Sequence, residues 1–541
     1  MHGRGHALAA LNRSWEAIEG YSQAIAAEPG FLDAYVGKGN VLVALDRLDE
    51  AIACYDQALT RADKAGDRAP RDVVAHLHYF RADALSRQER FDAALAGYER
   101  ALELFPDYHE ALLGCGRALT ELRDHLDALD CFERACRVRP DDLRSHDYRS
   151  RSLRELGRWD EALAAAERAV ALGADDTGAL TALAHTLRGL ARLDEAEAAY
   201  AKAASIKPDL GPLTFNHAIC LLLKGDYARG WPNYEARWTT EKLSARRMSF
   251  PQPVWLGQED IAGQRILLYA EQGHGDTIQF CRYAPMVRAL GAEVVLGVQP
   301  PLRSLLNSLN GVAEVVDRTE AMPIFDRHCP LMSLPLAFGT RLETVPNRVP
   351  YLWAPVGQRA VWQERLGPRP GPRQAPRIGI AWSGNARHQN DQNRSVPLET
   401  LQPLLALPAG FHCLQRDLRP GDLPAFAMCG NLTFFGGDLL DFADTAAMIS
   451  QLDLVIAVDT AVAHLAGAMG WPVWVMLPFA PDWRWLQQGE ATPWYPTARL
   501  FRQDAPGDWS GVIRKLCAAL QVWLANRSMV DHASPATGDE S

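Results

Sequence analysis

Self-similarity at a fixed step constrains this chain more than any other feature. Ala17, Tyr21, Ala24 and Pro29 are echoed 34 residues on by Ala51, Tyr55 and Ala58. The pattern returns at Ala94, Tyr98, Ala101 and Pro106, at Ala128, Phe132, Ala135 and Pro140, and at Ala162, Ala166 and Ala169. Ala196, Tyr200, Ala203 and Pro208 follow, and Gly230, Tyr234 and Arg237 close the series. Every step is 34 residues except Ala51 to Ala94, which is 43; the nine extra residues are assigned to the polar stretch 60–72. Positions i, i+4 and i+7 share one helical face, where small residues let a neighbouring helix approach and the aromatic fills the gap. Twelve residues before each anchor stands another small residue, at Gly39, Ala82, Gly116, Ser150, Ala184 and Ala218, which predicts two helices per unit.

In its small-x3-aromatic spacing and terminal proline, this pattern resembles the tetratricopeptide repeat. The resemblance implies an all-α solenoid over residues 1–245, of about seven units. Little chain precedes Ala17, so the first unit is expected to be abbreviated or its start to lie further upstream. In solenoids of this kind the first helix of each pair lines a concave groove for protein or peptide segments. The candidate groove residues Asn40, Asp83, Arg117, Arg151 and His185 are polar and mixed in sign, and specify no ligand.

After Leu243 the period changes. Short apolar runs, each followed by a turn and a helical stretch, predict an α/β half. Residues 265–272, EVVLGV and VAEVVD read as strands of a first lobe (246–366), with a loop at GHGD and a helix over 277–291. The Pro/Gly/Arg-rich stretch 367–377 reads as a linker. Beyond it RIGIAWSGN, FHCLQRD, LVIAVD and PVWVML read as strands of a second lobe (367–525). A polar tail, 526–541, is expected to be disordered. Two such lobes place a cleft between the carboxyl ends of their sheets, where open α/β sheets bind ligands.

Bulk properties remove several classes. A chain of 541 residues exceeds one hydrophobic core. The net charge of −10, with no dense Lys/Arg run, argues against nucleic acid. The most apolar stretch, 453–477, carries Asp459, His464 and Pro472 and reads as strand, turn, helix and strand rather than a membrane span. Ten scattered cysteines without a C-x-x-C pair, and no apolar leader, lead us to expect a cytoplasmic protein.

The segments GHGDTIQF, GIAWSGN…NRS and VIAVDTAVAHLAGAMG resemble the heptosyltransferase-like glycosyltransferases of the GT-B fold, over about residues 250–525. The resemblance implies inverting transfer of a sugar from a nucleotide-sugar, with the donor on the second lobe and the acceptor on the first. It also implies a carboxylate just after the glycine of the first loop, here Asp276.

The residues support this chemistry in their own right. A strand-to-helix turn offers free N–H groups and a positive dipole end to a diphosphate. The VDTAVAH turn fits, with Asp459 facing the nucleoside or capping, Thr460 and Ala461 at the phosphate, and His464 one turn on. Capping and core packing are the plain alternatives. Arg387, His388 and Arg394 in the polar loop 383–395, and Gln415 and Arg416 after the next strand, are further donor-site candidates. For the base, Asp276 stands at the first lobe's strand tip and His274 is its alternative, though Asp276 would also cap a helix starting at Thr277. No D-x-D, H-E-x-x-H or P-loop sequence occurs, so no metal and no cofactor beyond the donor substrate is expected. Asp438, Asp441 and Asp444, spaced by three, are expected on one solvated helix face. Trp471, Trp474, Trp483, Trp485, Trp494 and Tyr495 are expected mainly to pack. The rival functions are a non-catalytic repeat scaffold with a degenerate transferase-like half, and a sugar-nucleotide epimerase.

Overall fold

The computed structural model describes residues 2–66, 69–368, 374–386 and 390–530. The chain divides into two compact units, Met1–Leu187 and Arg188–Ser541.

The first unit is built from antiparallel helix pairs. His109–Glu121 with His125–Val138, and Leu143–Glu155 with Trp159–Leu172, show the standard unit of 13 and 14 residues. Most of the nine extra residues lengthen two helices: Leu48–Ala65 has 18 residues and Arg71–Arg87 has 17. The first helix described in this unit is the nine-residue His2–Ala10. Its Gly5, twelve residues before Ala17, lies so close to Tyr21 that a Cβ would stand 2.9 Å from the ring. The same fit recurs: a Cβ at Gly39 would lie 2.2 Å from the Tyr55 ring, and one at Gly116 would lie 2.6 Å from Phe132. The small position is thus the seat of the repeat's own aromatic. Ala17, Ala51, Ala94, Ala128 and Ala162 are fully buried, so the sequence period is the packing period.

Three of the groove candidates are engaged locally. Asn40 accepts from the Tyr55 hydroxyl at 2.7 Å, Asp83 pairs with Arg87 at 3.2 Å and Arg151 with Asp147 at 2.8 Å.

The second unit begins with helical pairs and continues into two parallel sheets. Helices Leu193–Ile206, Gly211–Lys224 and Tyr227–Tyr234, which the period assigns to the end of the solenoid, belong to this unit. Tyr227 accepts from the Trp494 indole N–H at 3.1 Å, and Trp231 meets Trp483 edge-on at 5.2 Å. Trp483, Trp485, Trp494 and Tyr495 are all buried, as their packing assignment requires.

The first sheet holds β1 (Arg265–Tyr269), β2 (Glu293–Val298), β3 (Glu314–Asp317) and β4 (Arg327–Pro330), in the order β3-β2-β1-β4. The second holds β5 (Arg377–Ala381), β6 (Gly410–Cys413), β7 (Leu432–Phe434), β8 (Leu454–Val458), β9 (Val473–Leu477) and β10 (Ala498–Arg502), in the order β10-β9-β8-β5-β6-β7. All pairs are parallel. Numbered within each sheet, the orders are 3-2-1-4 and 3-2-1-4-5-6 when the second is read from its β7 edge inward through β5, the doubly wound arrangement whose order reverses beside its first strand. Central strands β8 and β9 are buried throughout, which explains their unbroken apolar runs. Strands β4, β7 and β10 are additional to the sequence reading. They are short and mixed in polarity: RHCP, LTF and ARLFR carry no apolar run to mark them.

Several expectations are corrected. The first-lobe helix starts at His274 rather than Thr277 and breaks at Cys281 into a 3-10 turn before Ala284–Ala289. The three aspartates do not share a helix face. Asp438 sits in a 3-10 turn and pairs with Arg365, Asp441 caps Phe442–Ile449, and Asp444 in its first turn accepts from the Trp362 indole at 3.2 Å. Residues 526–530 continue the helix Trp509–Val530, while the rest of the expected tail, 531–541, lies outside the described residues, as do residues 369–373 of the linker. Residues 453–477 form β8, the helix Ala461–Ala468 and β9. No helix among the described residues is long and apolar enough to cross a membrane.

Candidate functional site

The site candidates converge because both sheets reverse their order beside their first strand. Glu271 to Asp276 follow β1, Ser383 to Arg394 follow β5, and Asp459 and Thr460 follow β8, so all three turns leave carboxyl ends at or next to the switch points. The helices His274–Phe280 and Ala461–Ala468 then pack against one another. Gly275 permits it: a Cβ there would lie 2.8 Å from the His464 ring and 3.5 Å from the Ala461 Cα.

On the second lobe, Thr460 occupies the N-cap position of Ala461–Ala468, yet its hydroxyl makes no capping bond and has no partner among the described residues. The first turn therefore keeps the donors that a helix N-terminus offers. Arg394 reaches this turn and donates to the Asp459 carbonyl at 2.9 Å. Its guanidinium lies across Gly384, where a Cβ would meet it at 2.5 Å. Burial alone would raise the Asp459 carboxyl; contact with His464, and the charges of Arg394 and Arg484, hold it below the ordinary range. His464 is buried, stacks on Trp485 at 5.3 Å and contacts the Tyr495 hydroxyl through Nδ1 at 3.0 Å.

Gln415 is a clamp for the loop after β5. Its Oε1 accepts from the Trp382 and Ser383 N–H groups at 2.7 and 2.9 Å, and its Nε2 donates to the Ser383 hydroxyl. Arg416 is exposed and points to no role in the turn. Arg387 and His388 lie outside the described residues.

On the first lobe, Asp276 is the third residue of its helix and accepts from the Gly273 N–H at 2.7 Å. Its other oxygen pairs with Arg484, which also holds Asp482 at 2.8 Å and the Gln279 side chain at 2.7 Å. His274 lies against Phe442 of the second lobe at 5.2 Å, and burial pushes its imidazole below the ordinary value against the pull of Asp276. Behind this loop, Glu271 is fully enclosed beside Arg237, at 3.3 Å. Burial raises its carboxyl to about 7, with Arg237 opposing the rise. Arg237 also donates to Ser333 at 2.7 Å, and Tyr234 accepts from Gln272 at 3.0 Å, so the end of the repeat segment braces the loop.

Arg484, Glu271 and Arg237 were not singled out by sequence as site residues. Arg484 lies in DWRW, where the tryptophans dominate, although a lone arginine between two buried aromatics is itself a sign of a buried charge needing partners. Among the described residues no three His, Cys, Asp or Glu side chains are grouped to hold a metal ion.

Comparison with known proteins bears on the helical half. Two family profiles, both described as Tetratricopeptide repeat, match residues 31–107 and residues 79–142 and 149–210. Protein FlbA of Caulobacter vibrioides is 28% identical over 353 residues, covering 59% of this chain and 56% of that protein. The chain thus spans little more than half the length of this curated relative. Among solved structures, a tetratricopeptide-repeat protein of Parabacteroides merdae is 16% identical with a TM-score of 0.37, covering 45% of this chain and 93% of that one. YrrB, described as having an unusual peptide-binding site, is 22% identical with a TM-score of 0.31, covering 36% and 96%. A thermophilic tetratricopeptide-repeat protein of Thermus thermophilus is 26% identical with a TM-score of 0.29, covering 35% and 99%. The N-terminal region of this chain is therefore an array of tetratricopeptide repeats, the architecture of a protein-interaction scaffold.

Proposed function

We propose that the α/β half is a glycosyltransferase that moves a sugar from a nucleotide-sugar to a protein or glycan acceptor gathered by the repeats. The observation that carries this reading is the meeting of the His274–Phe280 and Ala461–Ala468 helix N-termini at Gly275, each at the carboxyl edge of a doubly wound sheet. The Ala461 turn, with the unpaired Thr460 hydroxyl, would receive the donor diphosphate, and Arg394 beside it would offset the charge that grows on the leaving group. No metal ion is required for that role.

As the acceptor hydroxyl attacks the anomeric carbon, the new O–C bond forms, the bond from that carbon to the diphosphate oxygen breaks, and the nucleoside diphosphate leaves. Direct displacement inverts the anomeric centre. The hydroxyl proton goes to His274, whose neutral imidazole can accept it, while Asp276 holds the first turn of the helix and orients Arg484. In this reading Asp276, which accepts from Gly273 and pairs with Arg484, is the positioning partner of the pair.

The test is calorimetry on the full chain with a panel of nucleoside diphosphates and their parent nucleosides. One diphosphate should bind, and Arg394→Ala should weaken it at least about tenfold more than it weakens the nucleoside. Binding of no diphosphate, or equal losses for both ligands, would refute the reading. A second reading, a repeat scaffold with an inert α/β half, is supported by the tetratricopeptide repeats alone; it predicts no binding by any member of the panel.

A further inference from the structure

A cavity of about 310 Å³ lies beside β4, where the chain enters the first lobe. Ser244, Arg247, Met248, Ser249, Phe250 and His328 line it. None of these residues belongs to the turns described above. Arg247 makes no ion pair among the described residues; its guanidinium lies 5.4 Å from the Trp238 ring. His328 is 6% exposed and its Nδ1 lacks a partner.

Two further buried polar atoms in the same neighbourhood are unpaired: the Tyr269 hydroxyl and the side-chain oxygen of Gln252. The Phe250 ring joins the group, 5.0 Å from His328 and 5.8 Å from Tyr269. Buried polar atoms seldom go unpaired, and several together mark a place where water or a ligand completes them.

The chemistry of these groups narrows the ligand. A cation without an ion-pair partner among the described residues, beside the Ser249 hydroxyl, selects an oxyanion. Of the unpaired buried atoms, the His328 Nδ1 belongs to a residue that lines the cavity; it can accept, so the ligand must also bring an O–H donor. Phe250 supplies an apolar face for C–H groups. The volume matches roughly ten waters' share of liquid, far more than one bridging water needs.

We propose that this cavity binds a phosphorylated sugar, with the phosphate at Arg247 and Ser249 and ring hydroxyls toward His328. The assignment is independent of the nucleotide reading, since no residue is shared.

Calorimetry of the full chain with a panel of hexose phosphates, with inorganic phosphate and with glucose tests it. One hexose phosphate should saturate with a dissociation constant of about 1 mM or tighter, inorganic phosphate should bind at least about fivefold more weakly, and glucose should not bind. Arg247→Met changes an exposed side chain and should leave the melting temperature in place while weakening the hexose phosphate about tenfold or more. His328→Gln, which keeps a polar side chain in the cavity, should weaken it less. No saturation by any hexose phosphate up to about 50 mM would mean that water alone fills the cavity and would overturn the proposal. So would binding that survives Arg247→Met, or inorganic phosphate binding as tightly as the sugar phosphates.

Discussion

Arg484 donates to the Asp276 carboxylate, whose second oxygen accepts the Gly273 N–H, so one side chain both caps the first-lobe helix and joins it to the second lobe. Asparagine can keep the Gly273 bond but not the charge. Asp276→Asn should therefore lower the stability of the α/β half by about 1–3 kcal/mol, less than the loss of a fully buried pair because Asp482 remains on Arg484. Thermal melts of the full chain check this. An unchanged α/β transition would mean that the pair contributes nothing.

Glu271 makes stability depend on pH. Its carboxyl is raised by burial from the ordinary 4.5 to about 7. The folded state therefore holds this proton more tightly than the unfolded chain does. Its contribution to stability is complete below about pH 4.5 and is lost as the pH rises through about 7. Compared with wild type, Glu271→Gln should show a flatter stability profile between about pH 5 and pH 8, the difference being on the order of 2–3 kcal/mol. Parallel profiles for the two proteins would show that Glu271 stays charged beside Arg237.

Where the aromatic of a unit seats directly on its small position, as Tyr55 does on Gly39, glycine is a steric requirement. Gly39→Ala would put a methyl 2.2 Å from the Tyr55 ring, whose hydroxyl is tied to Asn40, whereas Gly30→Ala meets nothing within 4 Å. The first change should destabilise the repeat unit by about 1–3 kcal/mol and the second should be close to neutral. Denaturant melts followed by circular dichroism separate them; equal midpoints would contradict the seating of the aromatic.

The division at Leu187 predicts where the chain can be cut. A fragment ending near Leu187 should be helical and monomeric, because each repeat needs only its neighbours. One ending near Thr240 would carry Tyr227, Trp231 and Tyr234 without Trp483 and Trp494, and should bind hydrophobic dyes and self-associate. A dye-negative, monomeric longer fragment would show that these aromatics do not need the α/β half.

What the sequence made legible follows from range. The repeat is a local pattern, and its period is visible because Gly39 and Tyr55, or Gly116 and Phe132, are partners within one unit. The strands β8 and β9 are legible because full burial demands continuous apolar runs. The turns after β1 and β8, and the reach of Arg394 to Asp459, could be anticipated from strand tips alone. The Asp276 to Arg484 pair spans 208 residues, and the Arg237 to Glu271 pair crosses from helical repeat to sheet. Nothing in the local period marks either, because a buried charge finds its partner through topology. For the same reason the sequence did not show that Gln415, at a strand end, clamps the Trp382 and Ser383 N–H groups.

Gly275 offers a test of whether the approach of the two helices, rather than any single side chain, makes the site. Its backbone lies against His464, which is fixed from behind by Trp485 and Tyr495 and so cannot swing away. An added methyl 2.8 Å from that ring must push the His274–Phe280 and Ala461–Ala468 helices apart. Overpacking of this kind costs about 1–3 kcal/mol, so Gly275→Ala should fold with a lowered melting temperature. If the Ala461 turn holds a diphosphate only when the first-lobe helix closes over it, the same variant should also lose nucleoside diphosphate affinity, although the new methyl bears no charge. His464→Ala removes the ring that the methyl strikes. Combining the two changes should restore part of the melting temperature lost to Gly275→Ala, giving a favourable coupling between the sites. Additive losses in the double variant would place the strain elsewhere, with the Ala461 backbone at 3.5 Å the next contact to relieve.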